Sequence, residues 1–422
     1  MNTTSAYRFI ACLAGLLYVN CCLSGKKHVF PAWEKGEMEI HHIYTGRGES
    51  NFMIFPDGTS LLVDVGDWDP SDYPKMCKPL PDDSRRAGSW VARYVQRVNP
   101  HGNKVDYLMV SHFHSDHTGD SSLPLSSTES QDPNYVLVGI TEAGQSLQFG
   151  SVFDRGYPSY SYPLPIQGPD VENYRSFLEN KKREYGLQQE TFTVGQENQI
   201  CLKYNQAKYR SLFNIRNLAS NGEIWTGKEG ETHRYYDLDK ANVESKWQNE
   251  NSKSIAIRIS YGPFRYYCGG DLSGQLRNEQ GQSVNLEEEV AKACGPVDVC
   301  KANHHAYKDA MSEGFLRHIH ARQFIIPVWD YEHIQPKIIQ RMESCSSEKE
   351  NPRIFPTGFP QELQTQYAGE PWMKSVAPAY GHVVIKVFDK GRKYMIYVLS
   401  PLNEQMRVQQ VFGPYTSRGS SD

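Results

Sequence analysis

A layered α/β fold with its chemistry at the edge of a sheet is what this sequence predicts, on three observations. The β-prone apolar run Val105-Asp106-Tyr107-Leu108-Met109-Val110 stops directly at the polar stretch 111–120, SHFHSDHTGD. The run has the pattern of a buried strand, so the polar stretch occupies the loop where a strand ends, and such loops carry function. Two pairs of β-patterned runs flank short turns, 51–55 with 60–66 and 253–260 with 264–268, which is hairpin spacing. Residues 89–98 repeat their apolar positions at helical intervals. Strand, strand, helix, strand and polar loop in that order is an αβ layering.

The polar stretch carries an HxHxDH pattern, His112, His114, Asp116 and His117. A core would have to satisfy every one of these polar groups, whereas a zinc ion takes N and O ligands of this kind. Residues two apart on an extended loop point the same way, so His112 and His114 can share one metal. Asp116 and His117, where the chain turns into a helix, can reach a second. The plain alternative is a His-rich surface loop.

In chain order, 38–43 alternates as a strand and includes His41-His42. Strand neighbours point to opposite faces, so this pair is expected to be structural. Asp64 ends the first hairpin just before Gly66. From 121 to about 249 the chain is expected to form an insertion that shapes a cleft. Within it, 135–140 and 151–156 have strand character and 171–185 that of a polar helix. Its Tyr/Pro stretch, 157–163, offers aromatic faces suited to a sugar, a base or a choline-like cation. Asp271 ends the second hairpin after Gly269-Gly270, which let the backbone approach a ligand closely. A strand-like run, 296–303, leads into His304-His305. A helix at 313–320, a strand at 323–328 and a strand pair at 381–388 and 393–399 complete the pattern. His333 is expected at the surface or in a cap, and the polar tail 415–422 is expected to be loose.

The net charge is −4 with 39% hydrophobic residues, a globular composition without the basic excess that tight nucleic-acid binding requires. Arg8, the apolar run 9–19 and the small residues that follow resemble a secretory signal, so 1–24 is expected to be cleaved and 25–422 to form the domain of an exported protein. The run is too short to span a bilayer. A lipid anchor on Cys21 or Cys22 is the variant form, although Tyr18-Val19-Asn20 fits a lipobox poorly. Six cysteines lie beyond this segment and are able to pair if the chain is exported; Cys294 and Cys300 are near neighbours, and Cys268 is expected to be a buried thiol.

HxHxDH directly after an apolar strand resembles the signature of the metallo-β-lactamase fold superfamily. The stretches Tyr44–Ser50, Asn251–Ser254, Gly269–Asp271 and Lys301–Ala306 resemble the hydrolase domain of DNA-uptake competence channels, with secreted phosphorylcholine esterases in the same broad group. The resemblance spans roughly 38–110 and 253–399. It implies an αββα sandwich with two zinc ions, or another divalent metal. It implies that Asp64 props the histidine loop, that Asp271 bridges both metals, and that one of His304 and His305 binds metal. His304 is the favoured ligand, with His305 left to contact substrate or donate a proton to the leaving group.

Most members of the superfamily supply a further histidine about 20 residues before the bridging aspartate. Here that position falls at Asn251, and His233 is the lone histidine between His117 and His304. The first site is therefore expected to hold His112, His114 and Asp271, with water, an amide oxygen or His233 as fourth partner, and to lose metal first. The second is expected to hold Asp116, His117, Asp271 and His304. The expected activity is hydrolysis of a small-molecule or polymeric phosphoester by a metal-activated hydroxide. The alternatives are hydrolysis of esters, lactones or β-lactams, or a binding protein with a decayed site.

Overall fold

The computed structural model describes residues 29–68, 75–122, 133–197, 199–235, 249–274, 276–277 and 283–420. The signal and lipid-anchor expectations fall outside these residues. Among them, no helix is long and apolar enough to cross a membrane.

Two sheets pack face to face. The first runs in the order Val408–Thr416, Lys393–Leu399, His382–Phe388, Met38–His42, Asn51–Ile54, Ser60–Val63, Lys104–Val110, Gln148–Asp154, Gln188–Thr191. It is antiparallel as far as Ser60–Val63 and parallel beyond. Parallel neighbours need crossovers, and helices Ala87–Val98, Gly139–Ser146 and Pro169–Tyr185 lie in them. The second sheet runs Ile354–Pro356, Gln323–Ile326, Val299–Lys301, Phe264–Cys268, Ala256–Tyr261, Phe213–Ser220, Glu223–Trp225, Thr232–Arg234. Its parallel half is crossed by helices Leu286–Cys294, Glu313–Ile319 and Pro336–Cys345.

Alternation along the strands divides the core into three layers. Leu61, Met109, Ile257 and Tyr266 meet between the sheets. Leu62 and Leu108 face the other way, onto Val91, Val95 and Ile140 of the first helical layer. Cys300 and Phe324 pack on Val290, Phe315 and Ile339 of the second. Side chains of this size contribute roughly 1.5–3 kcal/mol each on full burial. The result is an αββα sandwich.

The segment 121–249 is woven into both sheets: Gln148–Asp154 and Gln188–Thr191 extend the first, and Phe213–Ser220, Glu223–Trp225 and Thr232–Arg234 extend the second. Residues 135–140 do not form a strand. Thr141 Oγ1 accepts from Val138 N at 2.8 Å and a helix starts at Gly139, with Ile140 and Ala143 toward the sheet. A short apolar run fits either state, and tertiary packing selects.

The C-terminal tail is tied down. Val408–Thr416 pairs with Lys393–Leu399, and Arg418 N donates to Asp298 Oδ1 at 2.8 Å. All six cysteines among the described residues are free. Cys294 and Cys300 are buried in the second helical layer, and burial pushes the Cys294 thiol up to about 12. His41 and His42 are structural as expected: His41 meets Tyr94 and Glu39, and His42 meets Tyr266 across the inter-sheet core.

Candidate metal centre

Four chain segments meet at the carboxyl ends of adjacent strands, where α/β sheets present ligands. Asp64 follows Ser60–Val63, the HxHxDH loop follows Lys104–Val110, Asp271 follows Phe264–Cys268, and His304-His305 follow Val299–Lys301. The first two strands are neighbours in one sheet and the last two in the other.

Asp64 organises the loop without facing the centre. Its carboxylate accepts from Ser111 N at 2.7 Å, Ser111 Oγ at 2.6 Å and His117 Nδ1 at 2.8 Å. Ser111 Oγ, spending its proton on Asp64, is the acceptor 3.1 Å from His112 Nδ1. One carboxylate thus fixes two imidazoles with Nε2 toward the centre, the supporting arrangement metal-binding histidines use.

Asp116, His117, Asp271 and His305 converge. His117 Nε2 lies 3.5 Å from Asp116 Oδ2 and 3.3 Å from Asp271 Oδ2. His305 Nε2 lies 3.1 and 3.4 Å from the same two atoms. Ligands about 2.0–2.1 Å from a tetrahedral zinc are separated by about 3.3 Å. On the other side of Asp271, His112 Nε2 is 3.2 Å from His114 Nδ1 and 3.9 Å from Asp271 Oδ2. Asp271 Oδ2 therefore belongs to both groups. His117 Nε2 and Asp271 Oδ1 are buried without a hydrogen-bond partner. These donors fit divalent metal.

The electrostatics of the bare side chains show the same need for a cation. Burial is the largest influence on Asp271 and disfavours its charge, yet His305 and His117 hold its pKa well below the ordinary carboxylate value. Burial pushes His305 down, but Asp271 and Asp116 outweigh it and bring the imidazole to about 9. Two buried carboxylates draw protons onto neighbouring imidazoles, and a metal would supply that positive charge instead.

His305, not His304, stands beside Asp116. It is fully buried, its Nδ1 is 3.0 Å from Pro327 O, and Trp329 Nε1 donates to its Nε2 at 3.3 Å. The expectation for His305 was contact with substrate or proton donation to a leaving group; the structure turns its Nδ1 to Pro327 O and its Nε2 to Asp116 Oδ2, at 3.1 Å. His304 turns toward Asn251, whose Nδ2 is 3.2 Å from His304 Nε2. His233 is exposed on the outermost strand of the second sheet. His333, expected near the surface, is buried and stacks on His305 at 4.5 Å.

Lys301 and Glu49 were missing from the sequence-derived candidates. Lys301 Nζ donates to Gly270 O at 2.7 Å and lies 2.9 Å from Glu49 Oε2, with both side chains buried. Glu49 also falls within reach of the His117, Asp271 and His305 donors. The ammonium beside its oxygen assigns it to the ion pair, and Asp116 completes the metal group. The signals were in the sequence, a lysine inside an apolar strand and a glutamate in a Gly-rich loop, but nothing local pairs them.

Glycines let the backbone close over this loop. Glu49 N donates to Asp116 O at 2.8 Å, and Gly66 N to Glu49 O at 3.0 Å. A Cβ on Gly66 would lie 1.8 Å from Asp116 O, and one on Gly48 2.5 Å from it. Gly66→Ala must displace Asp116. It is expected to weaken metal binding about 10–100-fold, the range typical for disturbing a ligand's support, as read by chelator competition. Unchanged affinity would show that the loop yields freely.

No known protein family matches the chain, and no curated protein matches it. Among solved structures it is similar to a new diphosphatase from the PhnP family, at 9% identity and a TM-score of 0.31, over 83% of this chain and 97% of that one. It is also similar to Tm1679, a metal-dependent hydrolase of the beta-lactamase superfamily, at 12% identity and a TM-score of 0.33, over 83% of this chain and all 100% of that one. Neither likeness carries an argument about this chain, whose site stands on its own geometry.

Proposed function

We propose that this chain is a divalent-metal-dependent hydrolase, with zinc as the metal and a phosphoester of phosphodiester or phosphocholine type as substrate. The observation that carries the proposal is the convergence of His117 Nε2 and His305 Nε2 on the Asp116 and Asp271 carboxylates, each histidine–carboxylate separation 3.1–3.5 Å, with Asp271 Oδ2 also 3.9 Å from His112 Nε2. Bound metal supplies Lewis acidity and lowers the pKa of water toward neutrality. Asp64 and Ser111 hold His112 and His117 in the tautomer that presents Nε2. Lys301 holds the Gly270 carbonyl and so sets the height of Asp271. His305, walled in by Trp329 and His333, keeps water from one side of the centre. His114 and His304 are partly exposed and mark the open side, where substrate would enter.

A pair of metals held by these residues would stabilise the attacking and leaving oxygens of a displacement at phosphorus, and the sequence resemblance to phosphorylcholine esterases and DNA-uptake hydrolase domains supports the same class. Export belongs to this proposal and rests on the N-terminal segment. Mass spectrometry of secreted protein is expected to show loss of about the first 24 residues, and retention of Met1 would refute it.

The test is a screen of the metal-loaded protein against a chromogenic phosphodiester, a phosphocholine ester, a lactone and a β-lactam. Metal-dependent turnover of one of the first two is the expected result. Turnover confined to the lactone or β-lactam would overturn the substrate class. Full metal occupancy without turnover of any would leave a binding protein.

A further inference from the structure

We infer that His304 is the third histidine of the first metal group, joining His112, His114 and Asp271, so that two adjacent histidines serve two different metals. The inference rests on the metal-centre reading above.

The backbone makes this division feasible. On a strand, His304 and His305 would point to opposite faces. Instead His304, His305 and Ala306 have φ of 42°, 50° and 61°. Three consecutive non-glycine residues in the left-handed region are strained, and surrounding bonds hold them there. Asn303 Nδ2 donates to Glu287 Oε1 at 2.9 Å, and the same carboxylate accepts from Met311 N at 2.9 Å and Ser312 N at 3.0 Å. Ala302 N donates to Ile325 O at 2.8 Å, and Tyr307 N to His304 O at 2.6 Å. The clamp brings both imidazoles to one centre, with ring centroids 6.2 Å apart.

The donor geometry then assigns each ring. His305 Nε2 belongs with Asp116. His304 Nε2 is 3.9 Å from Asp271 Oδ2, the same separation as His112 Nε2 from that oxygen. Its Nδ1 lies 2.6 Å from Asp309 Oδ1. His112 and His117 likewise engage Nδ1 and present Nε2. His304 is therefore oriented as a ligand, with Asp309 as its carboxylate support. Asn251 Oδ1 is buried without a partner beside it. A half-turn of that amide would exchange the Nδ2 now facing His304 for an oxygen. That exchange is compatible with a cation between them.

This changes the expected balance between the sites. The first group has three imidazoles and a carboxylate, and the second has two of each. Neither is short of ligands, so the first is not expected to lose metal first.

The test is zinc content and affinity, by elemental analysis across a chelator series, with the visible spectrum of the cobalt-substituted protein as a second readout. Wild type is expected to hold two metals that leave over overlapping chelator concentrations. His304→Ala is expected to keep one and to bind the other at least about 100-fold more weakly, with Asp309→Asn weakening the same metal by about 10–100-fold. Asp309→Asn also serves if His304→Ala fails to fold. Two metals bound as tightly in both variants as in wild type would overturn the inference and leave the His304–Asp309 pair as a proton donor. A wild-type protein that binds no zinc would instead overturn the metal-centre reading itself.

Discussion

Asp271→Ala is expected to strip metal from both groups and lower turnover by on the order of a thousandfold or more. Its Oδ2 is the common atom, 3.3 Å from His117, 3.4 Å from His305, and 3.9 Å from His112 and His304. Its removal takes a ligand from each group and leaves Asp116 as the one carboxylate facing the Nε2 atoms of the second group. Metal-derived stabilisation of a transition state is several kcal/mol, and each 1.36 kcal/mol is a factor of ten. Folding is expected to persist, because the backbone bond from Asp271 N to Ser254 Oγ at 3.0 Å does not need the carboxylate. Asp116→Ala is expected to empty the second group and also abolish turnover, with its fold kept. Elemental analysis, circular dichroism and rate measurement on the same samples check these outcomes. Near-native turnover of Asp271→Ala with metal still bound would refute the shared-carboxylate centre.

Lys301→Met is expected to destabilise the protein by about 3–5 kcal/mol, the cost of leaving a buried charge without its partner. Burial is the largest influence on the lysine and favours its neutral form, but Glu49 and Asp271 outweigh it, so the ammonium is charged in the fold. Removing it strands Glu49, buried 2.9 Å away, and frees the Gly270 carbonyl at 2.7 Å. Adding Glu49→Gln to Lys301→Met is expected to restore a large part of the loss, since the pair is then replaced by neutral groups. Urea unfolding of the two single variants and the double variant makes the measurement. Additive losses would show that the two charges do not interact.

Most of the layering was legible because it is local. The strand ending in HxHxDH, both hairpins and the helix at 87–98 follow from periodicity and turn residues, and each lies within a few residues of its expected place. What escaped was set by distant partners. Residues 135–140 form a coil leading into a helix because the sheet beneath takes Ile140 and Ala143. The tail is anchored because Lys393–Leu399 still had a free edge and Asp298 a free oxygen.

At the centre, the sequence alone placed the donor types at strand ends, where a short loop leaves few places for a side chain to go, and the resemblance of its motifs implied the parts of Asp64 as prop and Asp271 as shared ligand. Only the tertiary structure decided which donors stand together. Adjacent histidines would part on an extended strand, and the left-handed turn that reunites them is held by Glu287, a residue from a helix elsewhere in the chain. The partner of Lys301 was likewise invisible. A buried charge must be paired, but which group pairs with it depends on how the two sheets close on one another, and that is a property of the folded chain.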